Sequence, residues 1–196
     1  MSTVRTLTLA DVAMPRAGHL RNALLIIGAS VLTALAAQIA IPVPWSPVPL
    51  TGQTFAVLLS GAVLGARRAF LAQALYLIEG AAGLPVFASG AAGLAILAGP
   101  TGGYLAAFPL AAVLTGALAE RGWDRRFGPM LAAMLLGSAV IFALGLAQLS
   151  RFVPEKQLLA AGLMPFIPGD LVKSVLASLA FPFAWRLAHE RGGHEA

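Results

Sequence analysis

Cysteine is absent from the 196 residues, which excludes a disulfide framework, a thiolate metal site and a cysteine nucleophile. Charge is scarce. Asp, Glu, Lys and Arg make up 11% of the chain against 59% hydrophobic residues, and the mean hydropathy is +0.85. Ordinary soluble domains do not have this composition. The three histidines, His19, His189 and His194, lie in the terminal regions. Neither H-E-x-x-H nor G-x-S-x-G occurs, so there is no catalytic constellation, no metal site and no resident cofactor to expect. There is also no G-x-x-x-x-G-K-[ST] loop, because neither Lys156 nor Lys173 follows a glycine; the chain is not its own P-loop ATPase. The formal charge of +5 comes from basic residues scattered in ones and twos, not from a stripe, which argues against nucleic acid as a partner.

What remains is long apolar runs rich in Ala, Leu, Val and Gly. Period-two alternation, which a membrane barrel would require, is missing from them. In a bilayer the backbone must pair its own polar groups, so helices are the expected solution. At about 20 apolar residues per span, the runs predict an all-α polytopic membrane protein with helices at 21–41, 52–66, 68–82, 101–120, 128–149 and 166–187. The whole chain then reads as one membrane domain with cytoplasmic tails at 1–20 and 188–196. The second and third helices are short and flank Arg67-Arg68, where a tight turn at the membrane surface is expected. The apolar run of the first continues past Ala34-Leu35-Ala36 to Ile41, which argues against a cleaved leader.

With the N-terminus inside, the inner face collects Arg5, Arg16, Arg21, Arg67, Arg68, Arg121, Arg125, Arg126, Arg186 and Arg191, while the outer face has only Arg151 and Lys156. By the positive-inside rule both termini are cytoplasmic. Trp45, Trp123 and Trp185 fall near the expected interfaces and read mainly as anchors of an aromatic belt, with Trp45 alone also placed to touch a ligand.

The outer connections are rich in Pro and Gly: Pro42 to Pro49, Gly83 to Tyr104, and Met164 to Gly169. Proline stiffens such segments, so a shaped outward mouth is expected. The second segment, long yet apolar, is expected to fold back over the bundle as a lid. Pro100 to Gly103 and Pro168-Gly169 each open a helix whose exposed N–H groups can meet a ligand.

Asp170 and Lys173 are the only charges in the apolar stretch from Leu158 to Trp185. They stand three residues apart on one helix face. Ionisable groups inside a bilayer are costly and mark function; the plainer reading is mutual neutralisation or snorkelling of the lysine. Opposed charges also suit a ligand with polar ends. Thr51, Gln53 and Thr54, at the head of the second helix, add donors and acceptors. Gln73, Tyr76 and Glu79 share a face of the third helix, with Glu79 near its outer end as a further site candidate. Phe87 and Tyr104 could supply apolar walls. On the first helix, Ala29, Thr33 and Ala37, with Ser30 and Ala34 beside them, form a small-residue stripe. It would serve either packing within the chain or a partner subunit.

The run Val43-Pro44-Trp45-Ser46-Pro47-Val48-Pro49-Leu50-Thr51-Gly52-Gln53-Thr54, then Gly83-Leu84-Pro85-Val86-Phe87, Gly99-Pro100-Thr101-Gly102-Gly103-Tyr104 and Pro165-Phe166-Ile167-Pro168-Gly169-Asp170-Leu171-Val172-Lys173 together resemble the BioY family. These four ordered motifs lie in a likeness that extends from Ile27 to about Phe183. That resemblance implies a six-helix biotin-binding S component of an energy-coupling factor transporter in a bacterial inner membrane. Its partners would be biotin, a transmembrane coupling subunit and two ABC-type ATPases, with lipid around it. The missing P-loop fits this division of labour. The resemblance ties Asp170 and Lys173 to biotin and makes the stripe of the first helix the docking surface, with Ser30 and Ala34 in place of the usual alanine pair. A homo-oligomer is compatible with this reading. The competing classes are a solitary facilitator of biotin or another small solute and, further off, an intramembrane enzyme using Asp170 as a base.

Overall fold

The computed structural model describes residues 7–14 and 18–192, with side chains as far as residue 187. Arg5, Arg16 and His194 lie outside the described residues, as do the side chains of His189 and Arg191. The backbone is mostly helical. In chain order come α1 (Leu9–Ala13), α2 (His19–Gln38), a hairpin of β1 (Ala40–Ile41) and β2 (Leu50–Thr51), α3 (Gln53–Leu64), α4 (Ala66–Ala81), α5 (Leu94–Ala98), α6 (Gly102–Ala119), α7 (Phe127–Leu149), α8 (Glu155–Gly162) and α9 (Ile167–Gly192). Among the described residues four stretches are long and apolar enough to cross a membrane: His19–Gln38, Gly102–Ala119, Phe127–Leu149 and Glu155–Leu187.

α6 is the centre of the bundle, packed against α3, α4 and α7. Its small residues make this contact close. Ala107, Ala111, Ala112 and Ala119 are buried, and a Cβ added at Gly116 would fall 2.5 Å from the backbone nitrogen of Ala66. Across the same seam, a Cβ at Gly61 of α3 would fall 2.7 Å from the Ala112 carbonyl oxygen. α2 packs on α3 and α4, and α9 packs on α7. The outward face of α2 is apolar, with Leu24, Ile27, Val31 and Leu35 exposed.

Several expected boundaries shift. The first helix stops at Gln38, because residues 40–41 leave it to pair with residues 50–51 in the antiparallel hairpin. The turn between α3 and α4 is Gly65 alone, at φ 79°, a conformation that disfavours any side chain. Arg67 and Arg68 therefore sit in the first turn of α4 and not in the connection. The last helix runs on to Gly192, beyond the boundary drawn at 187. α1 and α8 are too short for a span-length reading to reveal.

α1 begins with a capping box between Thr8 and Asp11, which satisfies the otherwise free N–H groups. Asp11 then accepts from Arg68 at 2.8 Å and Arg21 at 3.1 Å, tying α1 to α2 and α4. Burial opposes the charge of Asp11, but hydrogen bonds from Thr8 and Arg68 outweigh it and hold the carboxyl below the usual aspartate range. Trp185 is not an interfacial anchor. It is buried, and its indole N–H donates to Asp124 at 2.6 Å, joining the turn after α6 to α9.

Candidate ligand-binding site

A cavity of about 300 Å³ opens at the N-terminal ends of α3, α6 and α9. Thr51, Gln53 and Thr54 form one wall, Asp170 and Lys173 a second, and Phe87, Ala91 and Ile96 of the segment between α4 and α6 lie over it. Tyr104, Leu105, Phe108, Phe142 and Phe166 complete an apolar lining. The volume is at the small end of the range for small-molecule sites, and mostly apolar walls with a few convergent polar groups are typical of them.

Three local features place these groups. α9 starts at Ile167, so Asp170 lies in its first turn, where the helix dipole favours a carboxylate. The Lys173 ammonium reaches across the cavity wall and donates to the Thr51 carbonyl at 2.9 Å. Among the described residues Asp170 and Lys173 form no ion pair with each other within 4 Å. The segment over the cavity is pinned from several sides. Gln148 donates to the carbonyls of Leu97 and Gly99 at 3.0 and 2.7 Å, and Gln38 donates to that of Phe87 at 3.3 Å.

Phe87 and Tyr104 both sit on glycines. A side chain at Gly80 would strike the Phe87 ring, and one at Gly145 would strike the Tyr104 ring. The Tyr104 hydroxyl donates to the Gly162 carbonyl at 2.7 Å, linking the cavity to α8, while the Ser46 hydroxyl links the hairpin to the same helix through the Ala161 carbonyl at 2.7 Å.

Seven of the residues singled out in the sequence therefore meet in one place: Thr51, Gln53, Thr54, Phe87, Tyr104, Asp170 and Lys173. Two do not. Trp45 is 66% exposed on the hairpin loop and is absent from the cavity wall. Glu79 faces α2, where it accepts from the Ser30 hydroxyl at 2.6 Å. The small-residue stripe also turns inward. Ala29, Ser30, Thr33 and Ala37 are buried in the chain's own bundle, and Thr33 bonds Gln73, which donates to it at 3.1 Å and to Ser60 at 3.0 Å. Their small volume serves contact with neighbouring helices, and only Ala34 of the stripe is half-exposed. Phe108 and Phe142 were not anticipated, since an aromatic within an apolar run carries no mark separating a pocket wall from a core residue.

Fold and cavity together define a multi-pass helical membrane protein that encloses a small-solute site near one end of its bundle. A family model described as the BioY family matches residues 7–190. The chain belongs to that family. It is similar to the biotin transporter BioY of Thermotoga maritima, with 43% identity over 79% of this chain and 91% of the relative. It is also similar to the biotin transporter BioY of Rhodobacter capsulatus, with 41% identity over 81% and 90%. Among solved structures, the S component for biotin from an ECF-type ABC transporter matches with a TM-score of 0.77 at 24% identity, covering 87% of this chain and 95% of that one. At that identity the match speaks for the fold.

Proposed function

We propose that this protein is the biotin-capturing component of a vitamin uptake transporter, binding biotin from outside and docking on an ATP-driven energy-coupling module. The observation that carries the reading is the convergence of Asp170, Lys173, Thr51 and Gln53 on one apolar cavity. Biotin has a ureido ring that needs donors and acceptors, an apolar thioether ring and chain, and a carboxylate. The site offers a counterpart to each: a carboxylate acceptor, an ammonium and a carboxamide, set among aromatic and aliphatic walls.

In this reading the whole chain is a single membrane domain of a bacterial inner membrane. α2, α3, α4, α6, α7 and α9 are its six spans, and both termini are cytoplasmic. Both α3 and α4 are shorter than a full crossing and are sheltered by their neighbours. No step of chemistry is required of the chain, and biotin is cargo. We place docking of the coupling subunit on the outward face of α2, where Leu24, Ile27 and Val31 are exposed and Ala34 is the accessible member of the stripe.

Purification in detergent tests the reading. The expected result is biotin that co-purifies or rebinds stoichiometrically, with uptake into liposomes that depends on a coupling subunit and ATPases. Loss of all affinity for biotin in a folded preparation would refute it.

A further inference from the structure

Behind the polar wall of the cavity runs an unbroken series of hydrogen bonds, residue to residue. Lys173 donates to the Thr51 carbonyl at 2.9 Å. The Thr51 hydroxyl donates to Gln53 Oε1 at 2.9 Å, Gln53 Nε2 donates to the Tyr76 hydroxyl oxygen at 2.6 Å, and the Tyr76 hydroxyl donates to the Val86 carbonyl at 3.0 Å. Lys173, Thr51 and Gln53 line the cavity; Tyr76 does not. It is fully buried, edge-on to Phe87 at 5.6 Å and stacked on Phe108 at 6.3 Å between ring centroids, and both of those rings do line it.

The direction of these bonds follows from proton count. A phenol carries one proton, and a carbonyl carries none to give. Since the Tyr76 proton goes to Val86, its oxygen can only accept from Gln53, and the carboxamide must turn its NH₂ towards α4. Gln53 Oε1 then faces Thr51, whose hydroxyl has to donate. A carboxamide in isolation could flip by half a turn with little change in shape; here Tyr76 forbids the flip.

We infer that Tyr76 is a positioning residue for ligand recognition: acting through Gln53, it sets whether the cavity wall presents a donor or an acceptor at that point. The inference rests on the biotin reading for its choice of probes. Tyr76 also ties α4 to the residue before Phe87, so the polar wall and the ring over the cavity share one anchor.

Tyr76→Phe keeps the ring and removes the hydroxyl. Binding of biotin, biotin amide (altered at the carboxylate end) and 2-iminobiotin (altered at the ureido end) is measured on the purified full chain. The set comprises wild type, Tyr76→Phe, Gln53→Ala and the double variant. Tyr76→Phe is expected to weaken biotin binding by roughly tenfold, the effect of one misplaced hydrogen-bonding group. It should change the affinity of biotin relative to one of the two analogues by at least about threefold, and add less than about twofold to the loss already present in Gln53→Ala, since the two act as a unit. Unchanged binding, equal losses for all three ligands, or full additivity with Gln53→Ala overturns the assignment and leaves Tyr76 a packing residue. Should Tyr76→Phe fail to fold, Thr51→Val takes its place: it frees the other end of the carboxamide and is expected to change the same ranking, and an unchanged ranking overturns the assignment. A wild-type protein that binds none of the three overturns the biotin reading and this inference with it.

Discussion

Replacing Gly80 with alanine puts one methyl group where the Phe87 ring already lies, because a Cβ there would meet three atoms of that ring. The ring has little freedom. Phe87 is 1% exposed, its amide donates to Ala91 at 3.0 Å, and the residue before it is held by Tyr76. Gly80 itself accepts from the Gly93 amide at 2.7 Å, so the segment cannot lift away as a whole. The open direction is into the cavity of about 300 Å³. Overpacking of this kind costs about 1–3 kcal/mol, while alanine in place of a helical glycine returns about 1 kcal/mol. Net folding stability should therefore change by no more than about 2 kcal/mol. Ligand binding has no such compensation: biotin must push the ring back, and the same 1–3 kcal/mol appears as a loss of about 5- to 150-fold in affinity. Radiolabelled biotin binding and thermal melting of the same preparation separate the two effects. Adding Phe87→Leu to Gly80→Ala should recover part of the lost affinity by giving the methyl group room. Affinity within about twofold of wild type for Gly80→Ala, or a double variant worse than both singles, refutes this reasoning.

Other expectations follow from the polar contacts. Asp170→Asn and Lys173→Ala should each lower biotin uptake at least about tenfold, the effect of one lost charge-assisted bond; unchanged uptake and binding would remove both from the site. Gln73→Leu removes the donor from which both Thr33 and Ser60 accept, leaving each hydroxyl only its bond to a carbonyl of its own helix, Ala29 and Val57, and should cost about 1–2 kcal/mol, read as a lower melting temperature with biotin affinity retained in the surviving fold. The carboxyl of Asp11 titrates lower when folded than when unfolded. Its hold on α1 is therefore complete above the ordinary aspartate value, near 3.9 on average, and fades as pH falls through the lower folded value. Protection of the amides of residues 9–13, taken relative to intrinsic exchange at each pH, should hold from about pH 7 to pH 5 and fall only below about pH 4, whereas in Asp11→Asn it should already be low at neutral pH.

The positions of the long helices could be read from the chain because apolar length is a direct consequence of the bilayer's thickness. Even so, two kinds of feature escaped. Elements shorter than a span, such as α1 and α8, rest on local contacts like the Thr8–Asp11 box and leave no trace in a window of about 20 residues. The hairpin escaped because Ala40 and Ile41 are as apolar as the helix they follow, and only the pairing with Leu50 and Thr51 tells the two apart. In the site, charge was the legible signal. Asp170 and Lys173 stand out against an apolar background, and the Pro/Gly motifs led to Thr51, Gln53, Phe87 and Tyr104. Glu79 misled for the same reason: a charge on a helix reads alike whether it faces a solute or, as here, a serine on the next helix. The stripe on α2 shows the limit of spacing arguments. Small residues every four positions define a face, and which neighbour presses on that face is decided by α4 and its Gln73.

α3 has twelve residues, about 18 Å at 1.5 Å per residue, in a layer about 30 Å thick. It falls short of such a layer by roughly two turns, and its head, with Thr51 and Gln53, is where the cavity begins. On the biotin-capture reading the solute fills the space beyond that head, as a detachable part of the protein's own interior. A bundle built this way gains stability from its cargo in proportion to the logarithm of cargo concentration, so that full and empty molecules differ in rigidity as well as in content.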